Sequence, residues 1–262
     1  MDKLNISVFF PTYNEEGNIE ALVARTVETL RRLAGRWEVI IVDDGSRDRT
    51  GEVAEALVKK YPGVRHVRHE KNRGYGGAVK TGLQEAKLDW IFFTDGDGQF
   101  DTAEIELLLP LAQNADMIAG YRIDRKDPVM RKLNAWAWGT LVRTLFGLHG
   151  KVRDIDCAFK LFRRRVVDEN TFVAEGALIS TELLVRAKKL GYRFAEVGVH
   201  HYPRKAGTQT GANPRVILRA FKELFKFCGI GFDWYSIGCC LWAKLPTKFA
   251  KNLLFICWSL SK

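Results

Sequence analysis

Trp90-Ile91-Phe92-Phe93-Thr94-Asp95-Gly96-Asp97-Gly98-Gln99 runs from four large apolar residues straight into an Asp-x-Asp pair. A short apolar run bounded by turn residues reads as a buried strand. Two carboxylates at its end are delivered to the carboxyl edge of a sheet, where open α/β folds bind ligands. Carboxylates so placed suit a hard divalent cation that carries a diphosphate.

Upstream, Ile6 to Phe10 and Val39 to Val42 are further β-branched and aromatic runs, with a helical pattern from Glu16 to Leu33 between them. A helix near Gly51 to Lys60, a strand near Val64 to Arg68 and a helix near Gly76 to Ala86 lead back to Trp90. Repeated βα units at this spacing predict an α/β protein with a doubly wound, mostly parallel sheet. Downstream, the pattern predicts a helix near Ala103 to Ala112, a strand at Met117 to Gly120 and a long helix from Val129 to Phe146. A strand at Asp156 to Phe162, a helix from Thr181 to Leu190 and a strand from Phe194 to His200 follow. Arg204 to Asn213, rich in Gly, Thr and Lys without an apolar period, reads as a mobile loop over the site. A basic amphipathic helix runs from Pro214 to about Phe227.

With 262 residues, 47% of them hydrophobic, the chain accommodates one large α/β unit, expected over residues 1–227, followed by an aromatic and basic tail over 228–262. The formal net charge of +10 calls for an anionic partner. No RNA-binding signature, zinc-finger spacing or basic helix-turn-helix is present, so nucleic acid is not the expected one. Met1 to Pro11 lacks the pattern of a secretory leader, and the five cysteines have neither even number nor metal-like spacing. Reduced thiols and a cytoplasmic location are expected. In the tail, Asp233, Lys244, Pro246, Lys248 and Lys251 interrupt every apolar stretch before the ~20 residues of a membrane span. Two readings of the tail stand: contact with the cytoplasmic face of a membrane, or cover for the body of this chain or a sister subunit.

Four segments, in order, carry a resemblance: Phe10-Pro11-Thr12-Tyr13-Asn14-Glu15, Val42-Asp43-Asp44-Gly45-Ser46-Arg47-Asp48-Arg49-Thr50, Asn72-Arg73-Gly74-Tyr75-Gly76-Gly77-Ala78, and Asp95-Gly96-Asp97-Gly98-Gln99. Together they resemble the family-2 inverting glycosyltransferases of the A-type nucleotide-sugar fold, in the polyprenyl-phosphate sugar synthase branch represented by dolichyl-phosphate mannose synthase. The resemblance covers roughly Ile6 to Phe227. It implies a nucleotide-diphosphate sugar donor, GDP-mannose or UDP-glucose, a polyprenyl phosphate acceptor, and Mg2+ or Mn2+ as cofactor.

The resemblance implies that Pro11, Tyr13, Glu15, Asp43 and Asp44 hold the nucleoside, and a carboxylate suits a base imide or ribose hydroxyls. Asp44-Gly45-Ser46 also reads as a turn and helix cap before Thr50. By the same resemblance Asp95, Asp97 and Gln99 hold the metal with the diphosphate, Arg204 reaches the diphosphate, and Arg122 and Arg131 contact the acceptor phosphate. Arginine suits those tasks because its planar fork binds phosphate oxygens in pairs. Glu182 stands near the catalytic carboxylate of hydroxyl-accepting relatives, but the adjacent Glu-Asp pair is missing. Asp154 to Phe162 resembles a family strand, with Ala158 in place of the expected Gly and Asp156 expected to brace the acceptor loop. Gly74, Gly76 and Gly77 read as a tight turn packing on the sheet. Two alternatives remain at this point: a transferase to a sugar hydroxyl with Glu182 or Asp156 as base, and a catalytically silent nucleotide-sugar-binding module.

Overall fold

The computed structural model describes residues 3–123, 129–204 and 214–227. Seven strands form one sheet: β1 (Ile6–Thr12), β2 (Trp37–Asp43), β3 (Val64–Arg68), β4 (Trp90–Phe93), β5 (Met117–Ile123), β6 (Lys160–Arg163) and β7 (Phe194–His200). Their order across the sheet is β3-β2-β1-β4-β6-β5-β7. Every pairing is parallel except those of β6, which runs antiparallel to both β4 and β5.

Helices α1 (Ile19–Leu33), α2 (Thr50–Lys60), α3 (Tyr75–Glu85), α4 (Ile105–Leu108), α5 (Val129–Phe146), α6 (Arg165–Asp168), α7 (Ile179–Lys189) and α8 (Pro214–Phe227) complete the fold. Helices cover both faces, which is why the central strands are apolar on both sides rather than alternating. Phe9, Ile40, Val42, Ile91 and Phe93 meet Ala78, Val79 and Leu83 of α3, Val142 of α5 and Leu183 and Leu184 of α7 on one face. Val8, Phe10, Val39, Ile41 and Phe92 meet Leu22, Val23, Val27 and Leu30 of α1 and Ala54 and Leu57 of α2 on the other. The period-two alternation of side chains along each strand thus sorts one sequence run into two cores.

Three expected elements are corrected. The first helix begins at Ile19, not Glu16, because the amides of Asn18 and Ile19 bond back to the Glu15 carbonyl. The helix expected over Ala103 to Ala112 breaks into two 3-10 turns flanking the single turn α4, with Pro110 in the second of them, where a proline lacks the amide a continuing helix would need. The strand expected at Asp156 starts only at Lys160, since the residues before it form a turn closed by Cys157 N to Asp154 O. The tail over 228–262 and the loop over 205–213 lie outside the described residues.

Strand direction determines what gathers at the site. The carboxyl ends of β1, β2, β4, β5 and β7 open on one edge, and antiparallel β6 brings its amino end, Lys160, and the preceding turn to that same edge. The strand order turns back between β1 and β4, the position at which open α/β sheets leave a crevice.

Candidate active site

At the β1–β2 end, a cleft of about 550 Å³ is lined by residues that include Tyr13, Ser46, Arg68 and His69. Two positive-φ residues shape its rim: Asn14 at 57° and Gly45 at 70°. A side chain at Gly45 would meet the backbone of Lys71 and Asn72 at 3.0 Å. Tyr13 is 40% exposed and able to lie against a base, whereas Pro11 is buried within β1 opposite Val42 and presents no surface to a ligand.

Asp43 is buried at the end of β2, where Oδ1 accepts the Ser46 amide at 2.8 Å. Its Oδ2 has no hydrogen-bond partner among the described residues, although Arg68 Nε stands at 3.4 Å and His66 Nε2 at 3.8 Å. Burial alone would raise this carboxyl, but the nearby His66, the Ser46 hydrogen bond and the Arg68 charge outweigh it and hold it below its ordinary value. Asp44 is used differently from expectation. Its Oδ1 meets His69 Nδ1 at 2.6 Å and the Arg73 amide at 2.8 Å, so it ties β2 to the loop before α3.

The Asp-x-Asp pair sits beside α3 at the end of β4. Tyr75, the first residue of α3, donates its hydroxyl to Asp95 Oδ1 at 2.9 Å. Burial and the neighbouring Asp97 charge push the Asp95 carboxyl up to about 7. Asp97 Oδ1 accepts the Gln99 amide at 3.1 Å, and Gln99 Nε2 donates to the Tyr202 carbonyl at 3.0 Å. Arg204 bonds Glu15 and approaches Asp97 Oδ2 at 3.7 Å, which fastens the end of the β7 loop across the donor edge.

These residues fit a divalent cation: oxygen donors, two carboxylates whose repulsion no lysine or arginine fully relieves, and an amide beside them. Among the described residues no cluster of three or more His, Cys, Asp or Glu side chains forms a metal cage, so diphosphate oxygens would have to complete the coordination.

Further along the edge, Arg122 of β5 is clamped by Asp154 through two bonds, Nε to Oδ2 at 2.7 Å and Nη2 to Oδ1 at 2.9 Å. Beneath it lies Lys160, fully buried, donating to the carbonyls of Ile155 at 3.2 Å and of Cys157. Burial lowers the Lys160 ammonium and raises the Cys157 thiol to about 12. The side chain of Arg131 lies outside the described residues.

Glu182 does not join the site. It is fully buried in α7, where it accepts the amides of Val173 at 3.0 Å and Ala174 at 2.8 Å and pairs with Arg186. Tyr75 and Lys160 were missed by sequence reasoning. Tyr75 sat inside a quoted motif, and the signal that could have found Lys160 is a lone lysine in the apolar run Cys157-Ala158-Phe159-Lys160-Leu161-Phe162.

A mixed sheet with a carboxylate pair at its switch point and a cleft of about 550 Å³ beside it is the arrangement of an open α/β ligand-binding fold. The chain belongs to glycosyl transferase family 2, whose model matches residues 7–171. It is 32% identical over 209 residues to the undecaprenyl-phosphate 4-deoxy-4-formamido-L-arabinose transferase of Pectobacterium carotovorum subsp. carotovorum (strain PC1), covering 79% of this chain and 62% of that one. It is 30% identical over 211 residues to the dolichyl-phosphate beta-glucosyltransferase ALG5A of Trichomonas vaginalis, covering 74% and 64%. The chain thus spans about three fifths of the first curated relatives it matches. Among solved structures, glucosyl-3-phosphoglycerate synthase of Mycobacterium tuberculosis in complex with Mn2+, uridine-diphosphate and phosphoglyceric acid superposes with a TM-score of 0.67 at 22% identity, over 87% of this chain and 80% of that one. No helix among the described residues is long and apolar enough to cross a membrane.

Proposed function

We propose that this protein transfers a hexose from a nucleotide-diphosphate sugar to a polyprenyl phosphate, with inversion at the anomeric carbon, at the cytoplasmic face of a membrane. The observation that carries this reading is the charge distribution along one sheet edge. Asp95 and Asp97 stand at the donor end, the clamped Arg122 guanidinium stands further along, and Glu182, the candidate base, is spent in the core. A hydroxyl acceptor needs a base to take its proton, whereas a lipid phosphate arrives already ionised. The curated relatives named above carry polyprenyl phosphates in their names.

In this reading Tyr13 lies against the base and Asp43 Oδ2 accepts an imide N–H, which both uracil and guanine possess. Arg204 exchanges Glu15 for the diphosphate. Asp95, Asp97 and Gln99 would hold Mg2+ or Mn2+, which neutralises charge developing on the leaving diphosphate. Arg122, preorganised by Asp154, and Arg131 orient the acceptor phosphate, one oxygen of which attacks the anomeric carbon as the nucleoside diphosphate departs. No covalent enzyme intermediate is required.

The test is incubation with labelled UDP-glucose or GDP-mannose, Mn2+ or Mg2+, and a polyprenyl phosphate, followed by organic extraction. Label in the organic phase from wild type, and its absence from Asp97→Asn, is the expected result. Metal-dependent release of free sugar without organic-phase label refutes the lipid-phosphate acceptor, and organic label from Asp97→Asn at the wild-type rate refutes the metal assignment.

A further inference from the structure

The strongest unassigned feature of the site is the tyrosine that backs Asp95. Ser180, buried near the start of α7, stands beside the Tyr75 hydroxyl, which donates to Asp95 Oδ1 at 2.9 Å. A phenol carries one proton, and here the Asp95 carboxylate takes it.

The surrounding backbone is built to keep Tyr75 at this distance. Gly74, at φ +81°, turns the chain into α3 so that the helix starts on Tyr75 itself. Gly76 lets this first turn close onto the loop before α7, its amide donating to the Glu175 carbonyl at 3.1 Å. A side chain at Gly76 would lie 2.6 Å from that carbonyl oxygen and 2.7 Å from Gly176 N. The same loop is held by Glu182 through Val173 and Ala174, and by Glu223 of α8 through Gly176 N at 3.1 Å. Glu182 therefore serves the site at a distance, by fixing the loop against which the Tyr75 turn packs.

We propose that Tyr75 is the positioning residue for Asp95: its hydroxyl, placed by the packed first turn of α3, takes one carboxylate oxygen and leaves the other for the divalent cation that carries the donor diphosphate. This rests on the metal-dependent transferase reading above. Groups that orient a metal ligand from behind govern affinity nearly as strongly as the ligand itself, with typical losses of about 10- to 100-fold on removal.

The test uses the full chain and titrates Mn2+ calorimetrically in the presence of saturating UDP and, separately, GDP. Tyr75→Phe removes one hydroxyl and keeps the ring in its packing. It is expected to weaken Mn2+ binding by about tenfold or more while the metal-free melting temperature stays close to wild type. Ser180→Ala, a change beside that hydroxyl, is expected to give a smaller loss than Tyr75→Phe. Mn2+ affinity within twofold of wild type in Tyr75→Phe overturns the assignment. So does a lowered melting temperature without a change in Mn2+ affinity, which marks a purely structural tyrosine. Wild type that binds no Mn2+ with either nucleotide refutes the metal reading itself, and this inference with it.

Discussion

Substitution of Gly76 by alanine separates the packing that positions the site from the chemistry performed there. The new methyl would lie 2.6 Å from the Glu175 carbonyl oxygen and 2.7 Å from Gly176 N, and both are backbone atoms that cannot rotate away. Forcing the two segments apart costs about 1–3 kcal/mol as overpacking. Loss of the 3.1 Å bond from Gly76 N to Glu175 O adds about 1 kcal/mol. Alanine recovers up to about 1 kcal/mol of helix propensity. The net destabilisation is about 2 kcal/mol, or about 4–8 °C in melting temperature for a domain of this size. A shift on the order of 0.5 Å in the first turn of α3 also carries the 2.9 Å bond from Tyr75 to Asp95 outside the normal O–H···O range. Thermal unfolding and Mn2+ titration of Gly76→Ala should therefore both respond. Gly139→Ala within α5 is the control, because its methyl would meet only the guanidinium end of Arg143 at 3.0 Å and should be neutral or stabilising. A Gly76→Ala protein as stable as wild type refutes the packing account.

Glu182→Ala takes the carboxylate from Arg186, which keeps Asn170 and Thr171, and leaves the half-buried Val173 amide and the buried Ala174 amide without their acceptor, so it should cost about 3 kcal/mol in urea unfolding. Its folded fraction should keep the wild-type dependence of rate on pH; loss of the fall in rate at low pH would restore Glu182 as a base. Cys157, raised to about 12 by burial, is about a ten-thousandth ionised at pH 8. Iodoacetamide at that pH should leave it unlabelled until denaturant is added, as read by peptide mass spectrometry. Asp116 is held below its ordinary value by Arg193 hydrogen bonds and the Arg163 charge. A depressed carboxyl contributes stability above its unfolded pKa, near ~3.9, and loses it as the pH falls through the folded value. The stability gap between wild type and Asp116→Asn should then be constant above about pH 5 and shrink toward pH 3; a gap that widens on acidification contradicts the assignment.

The fold was legible because its signal is local. Ile6 to Phe10, Val39 to Val42 and Trp90 to Phe93 each announce a buried strand within five residues or fewer, and the intervening helices have room for right-handed crossovers. The direction of β6 was not legible. Lys160–Arg163 is four residues long, and a run that short carries no information about polarity; direction follows from how α5 and the turn at 154–158 return the chain. The break at Pro110 was readable in principle, since proline inside a helical pattern argues against continuity.

The site was legible where a residue's role depends on its own strand end, and illegible where it depends on a distant partner. Asp95 and Asp97 lie where the apolar run before them says they must. Asp43 and Asp44, adjacent in sequence and alike in chemistry, part company at the end of β2: Asp43 keeps an oxygen without a hydrogen bond among the described residues, while Asp44 is consumed by His69 and Arg73. Glu182 misleads because its role depends on a distant partner, since nothing in Ser180-Thr181-Glu182 discloses that the carboxylate turns inward to the amides of Val173 and Ala174. Arg122 is set by Asp154, and the turn that carries Asp154 is pinned by the buried Lys160 through the carbonyls of Ile155 and Cys157. An ammonium without solvent must spend its protons on fixed acceptors, so Lys160 makes that turn rigid. The Arg122 guanidinium, to which the proposed function gives the acceptor phosphate, is thereby held by a lysine 38 positions away that never reaches the surface, a dependence only the folded chain contains.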